Sequence, residues 1–516
     1  MKKLFVALLS VLLVLGLAGC SKKDETPTEV VERTVNAVLV TSPVGLHPLK
    51  TNDSASTFVS GQIFETLYKR TVDGSSYVPL LAAAMPEYSE DGLTATIKLR
   101  DDVSFHNGDK FTSAAVAYMI DCLKDPEYGS QRPSIVKSIE SYECPDDYTI
   151  VLHLAYTDGI LVASLAHTNG AIVNPALDKT QDLLVNPEGA GTGPYKFVSA
   201  VPSQEYVLTA NTEYWGGVPE VKDIRFDVVP DENTAVSRIK NGEADFMPTV
   251  GSDSLATLST APGVTTVSVP NSSVYYMAYR SDATAKNDIM ANVDFRKAIT
   301  QAVDYEAFVN SYFQGNATFS KSIVGNKLVG YDPVMEENYV AYDPEAAKAT
   351  IDANNWAGTE ITFLCSTRDA HMQLAAYVQD ALAKVGITVK VVSEEWATFL
   401  ADAKTDEYFD FCILSWSNVT GDGHQMLSPN FQSGIDTRVK YNNPEFDAFC
   451  DVAAHSTDLA VRTKAMVDAV AKIQGADVIV TPVYSINTMY AYSSYLDNVV
   501  FDAGGQFDVA DFKLAK

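Results

Sequence analysis

The chain has 516 residues, 46% hydrophobic and 20% charged, which is ordinary globular composition and enough for two or three domains. Lys and Arg number 38 against 66 Asp and Glu, a formal net charge of −28 at pH 7. That balance argues against a nucleic-acid surface, which needs clustered basic side chains, and against adsorption on anionic lipid.

At the N-terminus, Lys2 and Lys3 precede an apolar run from Leu4 to Ala18, and the run closes with Leu17-Ala18-Gly19-Cys20. This is the layout of a secretory signal, too short for a comfortable membrane span. Its end resembles a bacterial lipobox, which implies a signal peptide over 1–19 and a lipidated Cys20. Residues 20–33 then form a polar, lipid-anchored tether without an apolar period. The body is expected outside the cytoplasm, held at the cell membrane through that lipid only. Five cysteines remain: Cys122, Cys144, Cys365, Cys412 and Cys450. An odd number leaves at least one thiol free, and their pairing is not legible from spacing.

In chain order, residues 34–40 read as a strand and Phe58 to Tyr68 as a helix with Ile63, Phe64 and Leu67 on one face. Asp73-Gly74 marks a turn. Leu93, Ala95, Ile97 and Leu99 alternate as one face of a strand. A helix from Ala114 to Leu123 follows, with Thr112 or Ser113 as N-cap. Gly191 and Gly193 before Pro194 allow a chain turn; the alternation of Tyr195-Lys-Phe197-Val argues against a phosphate-binding loop, which requires a following helix. Further amphipathic helices are expected from Asp294, from Asp343-Pro344, over Met372–Val385 and over Val461–Ile473. Between them lie apolar strands at 387–392 and 409–415. Helices alternating with strands imply an α/β lobe.

The run from Glu90 to Ser113 resembles the signature of the family 5 extracellular solute-binding proteins, the peptide- and nickel-type receptors of ABC importers. Gly189-Ala-Gly-Thr192-Gly193-Pro-Tyr195-Lys-Phe197, Asn211-Thr-Glu-Tyr214-Trp215-Gly-Gly, Asn241-Gly-Glu-Ala-Asp245, Val293 to Asp304 and Gly386-Ile387 resemble further segments of that family, in the family's order. The resemblance implies an α/β, two-lobed periplasmic-binding-protein-like fold with an extra subdomain in the first lobe and a ligand cleft between lobes. Lobe I would comprise 34–53, 190–276 and 484–516, its extra subdomain 54–189, and lobe II 277–483. The hinge would lie near Pro270–Arg280 and Val480–Tyr490.

The stretch 393–427 is where a ligand is expected, because Trp396, Trp416 and Asp422 fall just past strand ends, beyond which α/β proteins place ligands. The competing reading makes both tryptophans core residues and Asp422 a turn former. The segment around Arg368 and the Trp396–Asp422 stretch resemble dipeptide-type members, in which an arginine meets the ligand carboxylate and an aspartate its α-amino group. Arg suits the first role through its bidentate fork. Tyr275, Tyr276, Trp396 and Trp416 would supply apolar walls and Arg280 a second basic contact. The sequence departs from that pattern after Trp416, where glycine follows Asp422 in place of proline. His106, His167, His371 and His424 show no metal-like spacing, and no nucleophile–base motif is found. The expectation is a monomeric, lipid-anchored receptor that binds short peptides and hands them to ABC permease subunits, without cofactor, metal or nucleic acid and without enzyme activity. The alternatives are a receptor for a nickel chelate or an oligosaccharide, or an exported hydrolase.

Overall fold

One strand of 14 residues, Val480–Ser493, runs through both halves of the molecule. In the computed structural model, which describes residues 34–282, 285–416, 418, 420–435 and 438–515, its first half pairs antiparallel with Val274–Tyr279 and Ala317–Phe319. Its second half pairs antiparallel with Val264–Pro270 and Phe246–Met247. The sheet is therefore continuous at 12 strands, while the chain crosses from one lobe to the other at 270–274 and within Val480–Ser493. The expected signal peptide, Cys20 and the tether lie outside the described residues.

In lobe II, Glu360–Ser366 pairs parallel with both Thr388–Glu394 and Phe411–Trp416. Alternation along these strands sends successive side chains to opposite faces. Ile361, Phe363, Phe411 and Ile413 join an apolar cluster on one face, and Leu364, Cys412, Leu414 and Tyr276 a cluster on the other. A sheet covered on both faces explains why these strands read as near-continuous apolar runs. The covering helices start where their capping residues stop the chain. Asn443 precedes Pro444–His455 and Asp458 precedes Leu459–Val470, and each side chain accepts backbone N–H groups of the first turn.

Lobe I pairs Thr34–Leu39 parallel with Asp223–Val228 and with Phe246. Beside it, Glu87–Tyr88, Thr94–Lys98, Thr149–Leu154 and Ile139–Asp146 form a separate antiparallel sheet. One apolar cluster holds Val35 and Phe246 of the first sheet together with Ile97 and Ile150 of the second, so the four-stranded unit is packed as an extension of lobe I.

The helix expected over 58–68 is instead Ser54–Ser60, capped by Asp53, and Tyr68–Arg70 is a strand. The apolar period is real but its residues face another segment of the same chain, 191–195. The carbonyls of Gln62 and Ile63 accept the N–H groups of Tyr195 and Gly193 at 3.0 and 2.9 Å, so they are not available to continue a helix. A Cβ on Gly191 would lie 2.0 Å from the Ile63 carbonyl oxygen; this close approach is what the glycine-rich segment provides. All five described cysteines are free thiols.

The C-terminal segment is tied to lobe I by aromatic packing. Phe246 meets Phe507 at 4.8 Å between ring centroids, Phe512 at 5.3 Å and Phe501 at 6.0 Å. Phe246→Ala is expected to cost about 3–5 kcal/mol of stability, the range for deleting a buried aromatic ring. Urea unfolding followed through Trp215 fluorescence measures it; a midpoint unchanged from wild type would show that these contacts do not hold the segment.

Candidate functional site

The three parallel strands of lobe II end at Ser366, Glu394 and Trp416, on the edge that adjoins the hinge. Residues just beyond two of those ends converge. The Arg368 guanidinium lies 3.7 Å over the Trp396 ring, and Trp396 stacks on Phe399 with centroids 5.4 Å apart. Trp396 is 6.5 Å from the His371 ring, which is 6.0 Å from Tyr275; Tyr275 in turn stacks on Tyr484 at 4.5 Å. Arg368, Trp396 and Tyr275 are thus brought together, and His371 and Tyr484 complete a row that sequence alone did not assemble. His371 hydrogen-bonds through Nδ1 to the Ser366 hydroxyl at 2.8 Å. Burial, helped by the Arg368 charge, pushes its pKa down to about 4, so it is neutral at physiological pH.

Four other expected contacts are placed elsewhere. Tyr276 follows Tyr275 on the same strand and points to the opposite face, into the lobe II core. Trp416 is half-buried on that same face, where it lines a separate cavity of about 190 Å³ with Tyr276, Leu414, Phe431 and Arg438. Arg280 is a correction. It stands five residues along from Tyr275, about 17 Å for an extended chain, and is 0% exposed. Its guanidinium donates to the carbonyls of Arg438, Thr405 and Ala403 and covers the Phe409 ring. It fastens loops and has no face toward the cleft.

Asp422 is the second correction. It is 0% exposed, and Oδ1 already accepts from Arg462 Nη2 at 2.7 Å and from the His424 N–H at 3.0 Å. The cation at Oδ1 is internal, while Oδ2 is buried with no hydrogen-bond partner among the described residues. The flanking glycines serve packing: a Cβ on Gly423 would lie 2.8 Å from Val324 Cγ1, and one on Gly421 would lie 1.9 Å from Arg70 Nη1.

That last contact leads to the cavity the sequence did not reveal. About 320 Å³ of space lies between lobe I and lobe II, lined by Asp53, Arg70, Tyr77, Asp502 and Asp508 on one side and Asn418 and Thr420 on the other. The Tyr77 hydroxyl donates to the Thr420 carbonyl at 2.8 Å across the gap. A second bridge closes the far side, where the Gly159 N–H donates to the Ala454 carbonyl at 2.7 Å. Deeper in, Glu65 accepts from the Tyr214 hydroxyl at 2.7 Å and from Trp215 Nε1 at 3.1 Å. The Tyr-Trp pair noted in the sequence is therefore a clamp on a buried carboxyl group. Burial, outweighing those two hydrogen bonds, pushes the Glu65 pKa up to about 7, and burial raises Asp508 to about 6. Among the described residues no group of three or more His, Cys, Asp or Glu is placed to hold a metal ion.

Two outcomes follow for stability. Asp422→Asn strips the partner from a buried arginine and is expected to cost about 3–5 kcal/mol, read as a lowered unfolding midpoint; an unchanged midpoint would mean that Arg462 finds another partner or solvent. Glu65 ionises near pH 4.5 when unfolded and near pH 7 when folded, so it contributes nothing below pH 4.5 and destabilises the fold progressively as pH rises from 4.5 to 7. Glu65→Gln should remove that fall, on the order of 3 kcal/mol between pH 4 and pH 8, with any pH-independent cost of the amide cancelling in the difference. Parallel stability–pH curves for the two proteins would contradict the assignment.

Known proteins resemble this chain in sequence and in fold. A family model described as bacterial extracellular solute-binding proteins, family 5 middle, matches residues 76–437. Heme-binding protein A of Haemophilus influenzae is 27% identical over 460 residues, covering 82% of this chain and 82% of its own. Oligopeptide-binding protein AppA of Bacillus subtilis is 24% identical over 492 residues, covering 89% of each chain. Among solved structures, HbpA2 from Haemophilus parasuis superposes with a TM-score of 0.85 at 23% identity, covering 94% of this chain and 100% of that one, which shows the fold.

Proposed function

The chain belongs to the family 5 bacterial extracellular solute-binding proteins, and from that premise we propose that it captures short peptides between its lobes and delivers them to the permease of an ABC importer, anchored to the cell membrane through lipidated Cys20. One observation carries the ligand class. The interlobe cavity presents both signs of charge, Arg70 beside Asp53, Asp502 and Asp508, on a wall that includes Tyr77 and Phe507. A zwitterion with an apolar side chain needs such a lining, because each charge it brings into a closed cleft must exchange its hydration for a partner. A volume of about 320 Å³ is in the range of small-molecule pockets. The row formed by Arg368, Trp396, Tyr275 and Tyr484 extends the wall on the lobe II side. The oligopeptide-binding relative supports the same class. The anchor rests on Leu17-Ala18-Gly19-Cys20.

Native mass spectrometry of the purified protein, followed by calorimetric titration with di- to hexapeptides, a nickel chelate and an oligosaccharide, tests the ligand. A peptide mass carried through purification and binding confined to peptides is the expected result. Selective binding of either other solute, or cleavage of the peptides, would replace this reading. For the anchor, wild-type protein should partition with membranes and Cys20→Ser should not; wild-type protein found free with an uncleaved N-terminus would refute it.

A further inference from the structure

The extra subdomain of lobe I also touches lobe II away from the ligand cavity. Its loop 155–160 meets the corner between the helices Pro444–His455 and Leu459–Val470. Among the described residues, none of 155–160 or 453–462 lines the cavity of about 320 Å³. A helix end leaves its last carbonyls without partners inside the helix. Here the Val452 carbonyl accepts the Ser456 N–H and the Ala453 carbonyl accepts Arg462 Nε, both from lobe II. The Ala454 carbonyl is met from across the gap, by the Gly159 N–H at 2.7 Å. The next residue bonds in the opposite direction. His455 Nδ1 donates to the Thr157 carbonyl at 2.6 Å, and its ring lies edge-on to Tyr156 with centroids 5.8 Å apart.

The loop takes its shape from its own subdomain. Asp158 is buried; Oδ2 accepts from the Ser138 hydroxyl at 2.5 Å and Oδ1 from the Ile160 N–H at 2.9 Å. The Ala155 N–H donates to the Ser138 carbonyl at 2.8 Å. Glycine at 159 is not demanded by that shape, since its φ lies outside the left-handed region. What demands it is lobe II. A Cβ there would lie 2.3 Å from the Ser456 carbonyl oxygen, 2.9 Å from that of Ala454 and 2.9 Å from Arg462 Nε. Two of these are backbone atoms, which cannot swing aside. A bare backbone at 159 is therefore required only while the lobes are apposed. The two sides share no core: Leu154 and Leu161 belong to the lobe I apolar cluster and Ala453 to a lobe II cluster. A polar contact without a shared core can part and re-form.

We propose that the 155–160 loop is a latch that holds the lobes together while the cavity is empty. The latch stands clear of the cavity lining, so it steadies the closed arrangement whatever solute the cleft takes. One residue connects it to the ligand side. Arg462 gives Nε to the Ala453 carbonyl at the latch and Nη2 to Asp422 behind the 418–424 loop. The strength of the latch sets how much of the ligand-free protein is open, and entry or release of a solute requires it to part.

Small-angle scattering and hydrogen–deuterium exchange test this on the full-length protein, freed of ligand by unfolding in guanidinium and refolding. Gly159→Ala sets a Cβ against the Ser456 carbonyl, and His455→Ala removes the donor to Thr157. Gly170→Ala in the same subdomain is the control, because a Cβ there meets nothing closer than 3.6 Å. The first two variants should enlarge the ligand-free radius of gyration and speed amide exchange at 155–160 about five- to tenfold, the scale of one lost hydrogen bond. The control should match wild type. Unprotected 155–160 amides in ligand-free wild type, an unchanged radius in both latch variants, or equal expansion of the control would overturn the latch. Should Gly159→Ala not fold, His455→Ala decides alone, since its side chain is exposed and belongs to no apolar cluster; an unchanged radius there would overturn the proposal.

Discussion

Asp422 and Arg462 form a buried ion pair behind the 418–424 loop, with side chains 0% and 5% exposed and 2.7 Å between Oδ1 and Nη2. Taking both charges out of water is expensive, and a pair of this kind is better understood as fixing one arrangement than as adding net stability. What it fixes is the lobe II side of the cavity. The loop is held further by backbone bonds from Val329 to Gly421 and from Gly423 to Val329, at 2.9 and 2.8 Å. Thr420 is thereby set to meet Tyr77, and Gly421 to lie against Arg70. Arg462 also stands behind the second contact between lobes. Its Nε donates to the Ala453 carbonyl at 2.7 Å and lies 2.9 Å from where a Cβ on Gly159 would be.

The hinge strand gives these contacts their mechanical context. Val480–Ser493 is bonded to lobe II through its first residues and to lobe I through its last, and Tyr484 contributes to the aromatic row from the lobe II half. Two lobes joined at 270–274 and along one strand can rotate about that line without disturbing either core, since the apolar clusters of lobe II and of lobe I are separate. Hinge closure of this kind changes backbone angles at a few residues and leaves packed layers intact. Arg70 and Thr420 lie on opposite sides of the resulting gap, so rotation acts on their separation directly.

Much of the fold was legible because it rests on local signals. The strands of lobe II are apolar runs of the right length, and Asp343 precedes a helix that it does cap. The helix expected over 58–68 failed because its apolar residues pack against the Gly191–Gly193 segment, more than a hundred residues away in sequence. The site was half legible. Arg368, Trp396 and Tyr275 do converge, since strand ends and loop chemistry are sequence properties. Tyr276 and Arg280 were misplaced by strand alternation and strand length, both of which the sequence contained. Asp422 was misread for another reason: its partner, Arg462, is forty residues distant on a helix with no motif to connect them. Arg70 went unnoticed because its meaning depends on Gly421 and Gly504, which only the folded chain brings to its two sides.

The central claim is that ligand occupies the cavity where lobe I, the C-terminal segment and the 418–424 loop meet. Hydrogen–deuterium exchange of the full-length protein, compared with and without a saturating peptide found by titration, tests it most directly. The account predicts that amides of 68–79, 418–425 and 502–508 gain protection together, while the four-stranded sheet at 87–154 does not change. Protection confined to one lobe, or to the neighbourhood of Trp416 and Phe431, would contradict it.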